Sequence, residues 1–228
     1  DISSFGALAT ALAATVGTGN IVGVATAIQT GGPGALFWMW MAAFFGMATK
    51  YAEGLLAIRY RTKHDNGHIS GGPMYYILHG MGEKWRPLAI FFALAGVLVA
   101  LFGIGTMTQV NAITGALKTS FQLSPQVASL VIAGIVSAVI FGGIHWISKV
   151  SEKVVPFMAA AYIFATVYII VLNMDQVPTV LSQVFQGAFT GTAAIGGFSG
   201  ALVKEAVQKG VARGVFSNES GLGSAPIA

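Results

Sequence analysis

The chain has no cysteine, which excludes disulfide frameworks, thiolate metal centres and dithiol redox chemistry and leaves cysteine usage silent about compartment. Charge is also scarce: Asp, Glu, Lys and Arg make up 9% of 228 residues, against about 25% in an ordinary soluble domain. The four histidines, at 64, 68, 79 and 145, show no ligand spacing such as HExxH, which argues against a metal centre. Strand-like alternation is absent, and a membrane β-barrel needs many alternating segments of about ten residues. No nucleophile, metal cluster or pair of acids marks an enzyme site inside the apolar stretches, so catalysis is not expected.

What is abundant is apolar surface. Hydrophobic residues occupy 55% of the positions and the mean hydropathy is +0.74. Apolar runs of spanning length fall near 7–28, 34–58, 87–117, 126–144, 154–173 and 182–203, which predicts an all-α membrane protein with about six transmembrane helices in one transmembrane domain, 1–228. The net charge of +4 is informative through its placement rather than its size, and no nucleic-acid partner is expected. Connectors after even-numbered spans carry Arg59, Arg61, Lys63, Lys84 and Arg86, then Lys149 and Lys153, then Lys204, Lys209 and Arg213; the opposite side carries only Lys118. Positive charge concentrates on the cytoplasmic side of membrane proteins, so the chain is expected to cross the cell membrane several times with its N-terminus inside. It opens on Asp1 rather than Met, and a fragment or processed product is expected.

Within the second connector, "GGPMYYILHGMG" fits either a short interfacial segment at headgroup depth or an ordered loop. Lys50 and Glu53, three residues apart near the end of the second span, can share a helix face and are expected to pair.

The first span contains "ATVGTGNIVG" at 14–23, with glycines, threonines and an asparagine inside an otherwise apolar segment. A dinucleotide fingerprint fails, because Gly17, Gly19 and Gly23 are spaced GxGxxxG and no βαβ unit surrounds them. Helix packing through Gly19 and Gly23 is one explanation. A second interruption, "GTAAIGGFSG" at 191–200 in the sixth span, favours another. Backbone that leaves the helix within the bilayer survives only where protein or a polar cavity satisfies it, and the exposed ends bind charge: N–H groups attract a carboxylate, carbonyls a cation or an ammonium. Paired Gly-interrupted spans point to a transporter site at the bilayer midplane.

Three blocks carry a resemblance. "ALAATVGTGNIVGVATAIQTGGPGALFWMWMAAFFGMATKYAEGLLAIRYR", "GGPMYYI" and "GVFSNESGLGSAPIA" together resemble the alanine or glycine:cation symporters of bacteria and archaea, essentially along the whole chain. The resemblance implies sodium-coupled uptake of a small neutral amino acid, alanine or glycine, with no cofactor beyond Na+ as the coupling ion. It also implies a fold similar to the leucine-transporter type, two inverted repeats of five helices whose first members are both broken. Residues 1–180 would form the first repeat and 181–228 the start of the second, with about four further helices expected beyond.

Substrate contacts follow from the same resemblance together with the physics of the breaks. Thr18, Gly19 and Asn20 would hold the carboxylate, with simple packing as the alternative for Thr18. Gln109 resembles the family's substrate-contacting glutamine, and Asn111 lies beside it at membrane depth; interhelical hydrogen bonding is their alternative. Ile195, Gly197, Phe198 and Ser199 would offer carbonyls to the ammonium and apolar atoms to the side chain, unless Phe198 faces a neighbouring helix. Sodium sites of similar folds use carbonyls just before the first break, here Ala13 and Val16. Glu219, in "SNESGLGS", belongs to a family signature, though a solvated loop explains its charge equally well. The expected mechanism is alternating access; a channel, or a helical module that cannot transport without its missing half, are the rivals.

Overall fold

The computed structural model describes residues 3–65, 67, 69–102, 104–190, 199–224 and 226–227, and for 104–105 and 199–202 the backbone alone. Apart from a two-residue antiparallel pairing, Thr62–Lys63 with Ile69–Ser70, the regular elements among these residues are helices. The first is α1, Ser4–Thr15, entered through Ser3, whose hydroxyl accepts the Gly6 N–H at 2.9 Å. After a 3₁₀ turn at Thr18–Asn20 comes α2, Val22–Gly31, ending at Gly32 with φ +73°. The two helices are bent by 58° at this break, so the interruption expected in the first span is present.

The second expected span is α3, Gly34–Arg59. "GGPMYYILHGMG" contains a short helix, α4, Pro73–Met81, with proline in its first turn, where the missing N–H costs no intrahelical bond. The run at 87–117 is resolved into α5, Arg86–Phe102, and α6, Ile104–Phe121, on either side of Gly103, which lies outside the described residues. Next are α7, Pro125–Phe141, and α8, Gly143–Leu172. The last two are α9, Val177–Phe189, and α10, Ser199–Asn218.

Three expectations are corrected. The polar stretch "IHWISKVSEK" is not a connector but the first third of α8, which runs unbroken for 30 residues. Its Ser148, Ser151 and Val155 are buried at helical spacing, and Glu152 accepts a hydrogen bond from the Ser3 hydroxyl at 2.7 Å, so this polar face packs on α1 instead of facing water. The residues after 203 are not a loop: α10 continues to Asn218, so Lys204, Lys209 and Arg213 ride on a helix. Lys50 and Glu53 do not pair, because Glu53 turns toward the Gly223 N–H at 3.2 Å while the Lys50 ammonium is buried without a hydrogen-bond partner.

By length and apolarity, Gly143–Leu172 (30 residues) and the stretch Glu83–Phe121, apart from Gly103 outside the described residues, can each cross a bilayer, and the bent pair α1–α2 makes up to three spans among the described residues, against about six expected. Of the other three expected spans, α7 has only 17 residues, α3 carries Lys50 and Glu53, and 182–203 includes 191–198, outside the described residues. Leu130 and Phe157 are 77% and 76% exposed, as expected where hydrocarbon is the solvent.

The helices form two compact units. The first comprises 1–45 and 139–218; its buried positions include Ala9, Ala27, Ala35, Ala188 and Ala206, small residues that let helices approach closely. Gly34 and Gly187 meet backbone to backbone, where any side chain would overlap the facing main chain. The second comprises 46–138 and 219–228.

Candidate functional site

The break in the first helical pair begins with a diverted donor. The Val16 N–H still reaches the Leu12 carbonyl at 2.7 Å. In a continuing helix the Gly17 N–H would reach the Ala13 carbonyl; instead it donates to Oδ1 of Asn20 at 3.0 Å. Gly17 is extended (φ −153°, ψ −170°), and a single tight turn follows, closed by the Asn20 N–H on Gly17 O at 3.0 Å and the Ile21 N–H on Thr18 O at 3.1 Å. Among the described residues, therefore, no backbone N–H reaches the carbonyls of Ala13 or Val16. Thr18, Gly19 and Asn20 are half-buried in this turn. One side chain thus leaves backbone carbonyls of the helix end without N–H donors beside a tight turn.

The opposite face of the turn belongs to α10. Nη2 of Arg213 donates to the Gly19 carbonyl, and the Asn20 amide donates to Ser217 O at 3.5 Å. The guanidinium lies 4.7 Å from the centre of the Phe216 ring. A side chain on Gly19 or Gly23 would overlap this guanidinium. Gly19 and Gly23 are indeed a close-approach pair, but what they admit is an arginine. A groove of about 410 Å³ continues between α2 and α10, lined by Gly23, Thr26, Thr30, Lys209, Arg213 and Phe216.

The interruption expected in the sixth span falls on 191–198, outside the described residues; the chain on either side is helical. α9 stops at Phe189, and the indole N–H of Trp38 donates to Ala188 O at 3.2 Å, satisfying a carbonyl that the helix end leaves free. Phe37 packs on Phe185 and Phe189 beside it. Ile195, Gly197 and Phe198 lie outside the described residues, and Ser199 opens α10.

In the second unit, Gln109 and Asn111 are exposed on α6. The same unit holds a feature the sequence did not single out: the segment after α10 folds back on α3 and α4, its Gly223 N–H donating to Glu53. Glu53 is 8% exposed and its second oxygen has no hydrogen-bond partner. Burial first, then the Glu53 carboxylate, push the Tyr76 phenol up from its ordinary value. Glu219 takes positive φ (+52°) and accepts from the Ser224 hydroxyl at 2.9 Å, so it orders its own loop.

Sequence reasoning missed Arg213 and the slot that admits it, having counted the arginine only as a charge outside the membrane. The available signal was helical spacing, since Arg213, Phe216 and Ser217 share one face of α10.

A mainly helical, apolar chain with one helical pair bent at a break is consistent with the class of helical membrane proteins. Residues 1–228 match the sequence profile of the Sodium:alanine symporter family, and the chain belongs to that family. It is 56% identical over its whole length to an uncharacterized transporter of Haemophilus influenzae, covering 50% of that protein. It is 52% identical to the sodium/alanine symporter AgcS of Methanococcus maripaludis, again over the whole chain and 50% of the relative. A probable sodium/glutamine symporter, GlnT of Bacillus subtilis, is 41% identical over the whole chain and 46% of its own length. The chain thus spans about half the length of the curated relatives it matches.

Proposed function

We propose that the complete protein to which this chain contributes carries a small neutral amino acid, alanine or glycine, into the cell together with sodium by alternating access. One observation carries the reading: the break after α1 leaves the Ala13 and Val16 carbonyls without N–H donors beside the turn Thr18–Asn20. A zwitterion and a small cation match that polarity, the carboxylate at the turn and Na+ at the carbonyls. On the same reading, Ile195, Gly197, Phe198 and Ser199 would meet the ammonium, and Gln109 and Asn111 would add side-chain hydrogen bonds. The positive-inside distribution supports a cytoplasmic N-terminus in the cell membrane. Alanine is favoured over larger substrates because the relative named for alanine is 52% identical and the one named for glutamine 41%.

One sodium charge moving down a 100 mV inside-negative potential supplies about 2.3 kcal/mol, enough for roughly forty-fold accumulation. The test is alanine uptake by the complete protein in vesicles, with and without an inward sodium gradient. Faster uptake with the gradient supports coupling; equal rates overturn it.

A further inference from the structure

We infer that Arg213 is a positioning residue of this site, holding the unwound turn in register from α10 and assigning its two ends to opposite charges. The inference rests on the transport reading above. Three contacts converge from one face of α10: Arg213 on the Gly19 carbonyl, the Phe216 ring under the guanidinium, and Ser217 O on the Asn20 amide. Asn20 is the same residue that diverts the Gly17 N–H and so makes the break. α10 therefore grips both residues that follow Thr18 in the turn.

Two consequences follow. Because the guanidinium occupies the Gly19 carbonyl, that oxygen is withdrawn from any cation, whereas among the described residues the carbonyls of Ala13, Ala14, Thr15 and Val16 receive no backbone N–H. A fixed positive charge at Gly19 also repels a cation there and favours a carboxylate on the neighbouring N–H groups. A Cβ at position 19 or 23 would meet the Arg213 guanidinium, so glycine there leaves room for this arginine of α10.

The test uses the complete protein in vesicles, with Arg213→Ala, Arg213→Lys, Gly23→Ala and the Arg213→Ala/Gly23→Ala double variant. Loss of one charge-assisted hydrogen bond should raise the apparent KM for alanine about tenfold while kcat stays within about threefold. Arg213→Lys, which keeps the charge and one donor, should recover most of the loss. Gly23→Ala should reproduce the Arg213→Ala effect, and the double variant should be no worse than either single one, since both act through one contact. A readout independent of transport is amide exchange over 14–23 in the purified protein, which should quicken in Arg213→Ala and Gly23→Ala. Unchanged exchange, or additive losses in the double variant, overturns the assignment. Absence of sodium-coupled uptake in the unsubstituted protein would instead overturn the transport reading, and the exchange experiment would still decide the role of Arg213.

Discussion

Two helical segments of the first unit contain residues that weaken helices, and they behave in opposite ways. α8 carries Pro156 in its interior and still runs from Gly143 to Leu172. The first span contains no proline between Ser4 and Gly31, yet it breaks and bends by 58°. Proline removes one N–H and bends a helix, but the neighbouring turns still close. At 16–20 the Gly17 donor is instead captured by a side chain, so the following turn is built on Asn20 rather than on α1. Competition for backbone donors, more than low helix propensity, makes the site.

The comparison can be broken most directly at Asn20. Asn20→Ala deletes the acceptor of Gly17 and the donor to Ser217 together, and alanine affinity of the complete protein should fall about a hundredfold, the worth of two such bonds. Asn20→Asp keeps the acceptor and should recover part of that loss; both are read by equilibrium binding. Gln109→Ala should weaken alanine binding about tenfold, while Val99→Ala on the 62% exposed, lipid-facing side leaves it unchanged; similar losses would remove Gln109 from the site. Trp38→Phe frees the Ala188 carbonyl and should lower thermal stability by about 1 kcal/mol, measured by unfolding in detergent. The smallest effect belongs to Pro156→Ala: the helix is already continuous there, so uptake should stay within about twofold.

Much of this was legible from residue order, and the failures share a cause. The break at 14–23 was readable because glycine, threonine and asparagine are rare inside an apolar span, and their cluster has few other physical uses. The short helix at Pro73–Met81 was only half legible, because the same residues fitted an interfacial segment and an ordered loop equally well. The "IHWISKVSEK" stretch was misread because polarity was equated with water, whereas Ser148, Ser151 and Glu152 are spent on α1. Lys50 and Glu53 were misread for a related reason: spacing permits a pair, but Glu53 is claimed by Gly223, 170 residues away in the chain. Arg213 was missed because its partner is a backbone carbonyl, so its spacing with Phe216 and Ser217 marks a helix face without naming what that face grips. Local rules find where a helix must fail; long-range hydrogen bonds decide what fills the gap.

The central claim is that the turn made by Asn20 binds the amino acid and the cation as a unit. Alanine binding to the complete protein, measured at zero and at saturating sodium for the unsubstituted chain and for Asn20→Ala, tests it most directly. Sodium should tighten alanine binding in the former and leave the weakened binding of the latter unmoved. If sodium strengthens binding by the same factor in both, the break is not where the two ligands meet.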